Sequence, residues 1–191
     1  MKEREKNASA ENSKGTREIW DVVKVLLISL AIVLPIRVYV AQPFVVRGAS
    51  MEPTFDDRDY LIVDQISYRS FEPRRGEVIV FRYPRDSSQF FIKRIIGLPR
   101  ETIAIENGRV RIINAEYPDG FWLDEPYLEF GRAETHPEGT VALSGDEYFV
   151  LGDNRLASSD SRLWGPLPRR LITGRAVLRA WPAARAGVVL E

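Results

Sequence analysis

Three stretches of this chain have the residue types for hydrolytic chemistry. In Arg47-Gly48-Ala49-Ser50-Met51-Glu52-Pro53-Thr54, Ser50 follows a small residue two places back and precedes a proline three places on. In Phe90-Phe91-Ile92-Lys93-Arg94-Ile95-Ile96-Gly97, two adjacent basic residues interrupt an apolar run. Residues 152–165, Gly152 to Gly165, are dense in Asp, Asn, Ser and Arg and follow a hydrophobic strand pattern. A serine hydroxyl becomes a nucleophile only beside a base. The usual base is histidine, but the chain has a single one, His136, inside the polar run 134–139, which reads as an exposed loop. With one histidine and no cysteine, multi-histidine metal sites, cysteine zinc sites, thiolate catalysis and disulfides are all excluded. No metal or cofactor is expected, and a serine enzyme built on this chain needs a different base.

Lys93 is the best placed on local grounds. Successive side chains of a strand face opposite ways, so Lys93 and Arg94 cannot both point to solvent, and one is directed to the interior or a groove. Burial lowers a lysine pKa and turns the amine into a general base, whereas arginine stays protonated. Each stretch has a plainer reading beside this one. Ser50 can cap a turn, Lys93 can be an edge-strand lysine that discourages aggregation, and the 152–165 stretch can be a solvated loop. A phosphate-cradling glycine loop is disfavoured there, because the only glycines stand at its two ends and no helix pattern follows.

The elements that must position these residues follow from patterning. A chain of 191 residues with 45% hydrophobic content supports one core plus an appendage. Lys+Arg and Asp+Glu balance at 27 each, so no global field draws the chain to nucleic acid, and no nucleic-acid partner is expected. Residues 1–18 are polar and read as a disordered tail. Residues 19–41 read as a transmembrane anchor: their apolar core, residues 25–36, is short, but Lys24 and Arg37 can snorkel and Trp20 and Tyr39 suit the interfaces. A core helix would be amphipathic, and a signal cleaved after Ala41 would place Tyr39 at −3, which argues against both alternatives. Six basic residues precede the apolar run against Arg37 and Arg47 after it, which predicts a cytoplasmic N-terminus and Ser50 on the far side, close to the bilayer. Residues 42–191 read as mainly β, a closed barrel or sandwich, with strands at 60–63, 77–81, 90–92 with 95–96, 147–151 and 175–180. A hairpin is predicted at Asn107-Gly108 between 103–105 and 110–112.

Taken together, Ser-Met-x-Pro-Thr at 50–54, Arg75-Gly76-Glu77-Val78-Ile79-Val80-Phe81, Lys-Arg-x-x-Gly-Leu-Pro at 93–99 and Gly-Asp-Asn-Arg-x-x-Ser-x-Asp-Ser-Arg at 152–162, behind an N-terminal anchor, resemble the bacterial type I signal peptidases. The resemblance runs from the anchor to about Trp181. It implies a membrane-bound serine endopeptidase with Ser50 as nucleophile and Lys93 as general base. Its substrates would be the signal peptides of exported preproteins, with small residues at −1 and −3, and it needs no cofactor. The Ser50 N–H would bind the oxyanion. Gly48 matches a position where some members supply a serine hydroxyl as a second donor, and here that hydroxyl is absent. Ser158 matches the serine that hydrogen-bonds the lysine, while Asp153, Asp160 and Arg162 match residues that brace the site. Phe44, Val46, Met51 and Ile92 match the apolar lining of the substrate pockets.

This sequence departs from the family pattern at Arg100, usually Gly, and at Ala157, commonly Asn. Residues 102–148 are short where other members carry a large second domain, which predicts a small hairpin-bearing insert on one β core. The expected protein is a single-pass monomer of the plasma membrane or an internal photosynthetic membrane, with Phe44, Phe55 and Trp122 reaching into lipid. A self-cleaving Ser-Lys regulator would share the chemistry without the anchor, and a tethered β module with a degenerate site would share the anchor without the chemistry.

Overall fold

The structure, a computed structural model, describes residues 20–31, 41–128 and 134–189. Residues 20–31 form a helix, α1, on which Val22, Val25, Leu26, Leu27, Ile28 and Leu30 are each half exposed or more. The rest of the predicted anchor and the 1–18 tail lie outside the described residues. Among the described residues no helix is long and apolar enough to cross a membrane.

From Ala41 onward the chain is mainly β. Its larger sheet contains β1 (Ala41–Val45), β2 (Tyr60–Asp64), β3 (Val78–Tyr83), β4 (Asp86–Gly97), β9 (Glu147–Leu151), β10 (Leu167–Pro168), β11 (Ile172–Trp181) and β12 (Gly187–Val188). The order is β1-β2-β11-β3-β4-β9-β10, with β12 pairing β11, and every pairing is antiparallel. The smaller sheet, β7-β6-β5-β8, is built from β5 (Thr102–Glu106), β6 (Arg109–Ile113), β7 (Phe121–Trp122) and β8 (Gly139–Ala142). The Asn107-Gly108 hairpin joins β5 to β6 as predicted, with both turn residues at positive φ, 50° and 73°.

Two expectations change. The 90–92 and 95–96 pieces are parts of one twelve-residue strand, β4, exposed along its first half and buried along its second. Lys93 pairs Ile79 of β3 on one side, and β9 joins β4 on the other side only from the next residue, Arg94; the lysine is buried all the same, not an exposed lysine that guards an edge. The single predicted core is three buried clusters. One joins the end of β4 to the smaller sheet through Ile96, Ile103, Ile105, Val110, Ile112, Leu143, Phe149 and Leu151. The approach is so close that a Cβ on Gly97 would stand 2.5 Å from Ile103 Cδ1. Another gathers Ile79, Phe81, Ile95, Tyr148 and Val150 on β3, β4 and β9. A third, under the Ser50 turn, holds Val46, Met51, Phe55, Leu61, Val78 and Ala176. Arg100, at the position where glycine is usual, adopts φ +67°, the left-handed conformation that glycine tolerates without cost.

The larger sheet curls. β1 and β4 are separated in it by β2, β11 and β3, yet Phe44 and Phe90 meet edge to face with ring centroids 5.4 Å apart. Between β1 and the exposed half of β4 lies a cleft of about 740 Å³, and Ser50 and Lys93 are in its wall.

Candidate active site

Alternation along β4 sends two neighbouring cations to different tasks. Lys93 points into the cleft, and Arg94 points away from it into the interior, with residue exposures of 3% and 1%. The sequence reading required only one to be buried. Both can be, because each finds partners.

Ser50 is presented by a loop pinned at its base, where the Val46 N–H donates to Asp59 O and the Arg58 N–H donates to Val46 O, both at 2.9 Å. Gly48, at φ +82°, bends the chain into the turn. The next residue after Ser50, Met51, is fully buried in the third cluster and anchors the turn from below, leaving Ser50 on the cleft side. Lys93 Nζ donates to Ser50 Oγ at 2.7 Å and to the Ile92 carbonyl at 2.8 Å. Burial pushes the lysine amine down to about 8; the Asp160 and Asp153 carboxylates oppose the shift and Arg162 assists it. At that pKa about a tenth of the amine is neutral at pH 7 and about half at pH 8, and a neutral amine in the same geometry accepts the serine proton instead of donating.

The 152–162 loop holds this pair from behind. Asn154 N–H donates to Ser50 O and Asn154 Nδ2 donates to Ala49 O, each at 3.1 Å. Asp153 Oδ2 accepts from Thr54 Oγ1 at 2.5 Å and from Arg94 Nη2 at 2.7 Å, and Arg94 also donates to Gly76 O at 2.7 Å and stacks over Tyr127 at 3.9 Å. Asp160 caps the one-turn helix α2 (Ser161–Trp164), accepts the Gly152 N–H at 3.1 Å and pairs with Arg162 at 2.8 Å through two contacts. The three acidic and basic residues expected to brace the site are thus all gathered at it.

Other expected site residues divide. Phe44, Val46 and Ile92 line the cleft. Met51 does not: it is fully buried, because its apolar side chain gains more from the core than from a half-wet groove. Phe55 is also buried, at 1% exposure with the Arg179 guanidinium over its ring, and cannot reach lipid. Trp122 is 41% exposed on β7 and stacks with Arg109. The Gly48 N–H donates to the Asp57 carboxylate at 2.8 Å and so is already engaged. Among the described residues the Ser50 N–H donates to no acceptor. Ser158 Oγ is buried without a partner and lies against Gly152, so the expected bond to Lys93 is not made in this arrangement. His136 is exposed as expected, although its carbonyl accepts from Arg162 at 2.6 Å. Sequence reasoning gave Thr54 only a part in fixing the turn and Arg155 only a pairing with acids of its own loop, whereas its partner is Glu125, and it gave no role to Arg94 or Asn154. Only for Arg94 was there a usable signal, its alternation with Lys93.

A curled β domain with a serine and a buried lysine amine in the wall of an apolar cleft has the form of a hydrolase, with a nucleophile and base that can carry acyl transfer. The family model described as "Signal peptidase, peptidase S26" matches residues 19–181. The chain is 37% identical over 193 residues to a probable signal peptidase I-2 of Synechocystis sp., covering 97% of this chain and 84% of that protein. It is 38% identical to a signal peptidase I of Leptolyngbya laminosa, covering 94% and 88%. With a signal peptidase I U of Bacillus subtilis the identity is 34%, covering 82% and 84%. This chain belongs to the signal peptidase family, peptidase S26, and is a serine peptidase.

Proposed function

We propose that this protein is a membrane-bound endopeptidase that removes signal peptides from exported preproteins through a Ser50–Lys93 dyad. The observation that carries the reading is the 2.7 Å contact between a nearly buried lysine amine and a serine hydroxyl in the wall of an apolar cleft. Neutral Lys93 takes the proton of Ser50 Oγ as that oxygen attacks the scissile carbonyl. The resulting oxyanion is held by the Ser50 N–H. Lys93 returns the proton to the leaving amine, which departs with the mature chain, and the signal peptide stays as an ester on Ser50. Lys93 then takes a proton from water, the water oxygen attacks the ester, and Ser50 Oγ leaves with that proton.

The substrate enters as an extended strand. β1 is the outermost strand of its sheet, and β9 pairs β4 only from Arg94 to Gly97, so free backbone edges face the cleft from both sides. Phe44, Val46 and Ile92 shape shallow apolar pockets that accept small side chains at −1 and −3 and exclude bulk by overlap. Ser158, buried and unpartnered, offers an acceptor for the third proton of the Lys93 ammonium. No cofactor takes part in any step. Residues 19–41 anchor the chain as a single span with the N-terminus in the cytoplasm, supported by the basic residues that precede the apolar run. The domain from 42 onward then works as a monomer on the other side, against the lipid surface from which preproteins emerge.

The test is mass mapping of the cut in a preprotein with wild type and Ser50→Ala side by side. A single cut after a small residue, absent with the variant, is the expected result. Cleavage by Ser50→Ala at the wild-type rate would sink the mechanism.

A further inference from the structure

Arg155 is the least exposed cation in the 152–162 loop, with none of its side chain accessible, and it touches neither Ser50 Oγ nor Lys93 Nζ. Each of its three guanidinium nitrogens is engaged. Nη2 donates to Glu125 Oε1 at 2.5 Å and Nη1 to Glu125 Oε2 at 3.2 Å, Nη1 also donates to Thr135 Oγ1 at 2.6 Å, and Nε donates to the Gly152 carbonyl at 3.0 Å. Glu125 is itself 10% exposed in its side chain and comes from outside the loop, in the segment that follows β7 of the smaller sheet. A buried two-pronged pair of this kind fixes direction as well as distance.

What Arg155 fixes is the peptide next to the nucleophile. The Gly152 carbonyl is held by Arg155 and the Gly152 N–H by Asp160, so the residue is clamped at both ends. Its Cα faces the Ser50 carbonyl and Ser158 Oγ so tightly that a Cβ there would stand 2.4 Å and 2.2 Å from them. Two residues on, Asn154 grips the Ser50 and Ala49 carbonyls. Hydrogen bonds joined through the Gly152–Asn154 backbone thus connect Glu125 to the Ser50 peptide.

We propose that Glu125 is a positioning residue for the peptidase reaction, acting through Arg155 on the Gly152–Asn154 backbone to keep Ser50 in line with Lys93. The proposal rests on the Ser50–Lys93 reading given above. Glu125 touches no reacting atom and does not line the cleft, so its effect belongs in kcat and not in substrate binding.

The experiment measures kcat, KM and thermal midpoint for the full-length protein and its Glu125→Ala, Glu125→Gln, Arg155→Ala and Glu125→Ala/Arg155→Ala variants, with Ser50→Ala as control. The substrate is a preprotein whose cut site has been mapped. A displacement of the order of 1 Å at a reacting group costs about 10²-fold, so Glu125→Ala should lower kcat by about that factor with KM within about twofold. Glu125→Gln, which keeps an acceptor for Arg155, should recover part of the loss, and the double variant should be no slower than Arg155→Ala alone. A purely structural role would lower the midpoint and leave kcat per folded enzyme unchanged, and that result overturns the proposal. If Glu125→Ala fails to fold, Glu125→Gln decides, measured on folded enzyme: a kcat at the wild-type value overturns the proposal and a reduced one at unchanged KM supports it. An active Ser50→Ala overturns the dyad reading itself, and with it this proposal. An inactive Ser50→Ala beside a fully active Glu125→Ala overturns only the role of Glu125.

Discussion

Arg94 and Asp153 form a two-pronged ion pair in the interior, Nε to Oδ1 at 3.0 Å and Nη2 to Oδ2 at 2.7 Å, with side-chain exposures of 1% and 0%. The pair ties β4 to the 152–162 loop behind the cleft, one residue from Lys93 on one side and one from Gly152 on the other. Removing one partner strands the other charge without water, so Asp153→Ala should destabilise the fold by about 3–5 kcal/mol. Urea unfolding followed by tryptophan fluorescence checks this. Replacing Arg94 together with Asp153 by apolar residues of similar volume should cost less than Asp153→Ala alone.

Gly152 leaves no room for a side chain. A Cβ would stand 2.4 Å from the Ser50 carbonyl, a backbone atom that cannot swing aside as a flexible side chain can. Gly152→Ala is expected to move the nucleophile turn and to lose most activity in a preprotein processing assay. Retention of wild-type kcat would show that the two segments separate more easily than their packing implies.

Ser50→Ala and Lys93→Ala should each lower kcat/KM by at least about 10³-fold, and the double variant should be no worse than either, because the two groups act as one unit. Lys93→Arg should not rescue, since a guanidinium stays protonated and cannot accept the serine proton. Single-turnover processing of a labelled preprotein measures all four.

The lysine amine lowered to about 8 gives two pH signatures of known sign. Activity needs the neutral form, so kcat/KM should rise with pH through a midpoint near 8 and level off above it. Stability follows the same direction for a different reason. The unfolded lysine, with a pKa near 10.5, holds its proton over a range where the folded one has lost it, so the folded state gains stability as pH rises from about 8 to about 10.5 and loses it on the way down. Below about 8 both states are protonated and the cost of the buried charge is constant. Lys93→Met should therefore be more stable than wild type at pH 7, by a margin that shrinks toward pH 10. Equal stability of the two proteins across that range would show that the buried amine carries no such cost.

Met51 and Ile92 separate core from pocket. Met51→Ala should destabilise by about 2–5 kcal/mol, as for other large-to-small core changes, and leave the −1 and −3 preference unchanged. Ile92→Ala opens the cleft wall and should admit larger residues at those positions. Cleavage of a substrate set varied at −1 and −3 distinguishes the two.

Much of this could be read from residue order alone. The lone histidine and missing cysteines left lysine as the base, strand alternation required Lys93 and Arg94 to part company, and Asn107-Gly108 specified a hairpin, because each of these depends on chemistry or on neighbours in the chain. Tertiary structure decided the rest. Whether Met51 or Ser50 faces the cleft depends on which side of the loop meets the third core cluster, and that cluster is assembled from β2, β3 and β11 as well as the turn. The lysine pKa depends on burial by strands and loops far away in sequence. The link from Glu125 to Gly152 joins the segment after β7 to the loop after β9 and carries no local pattern, since a buried ion pair is specified by where two backbones meet and not by the residues beside either partner.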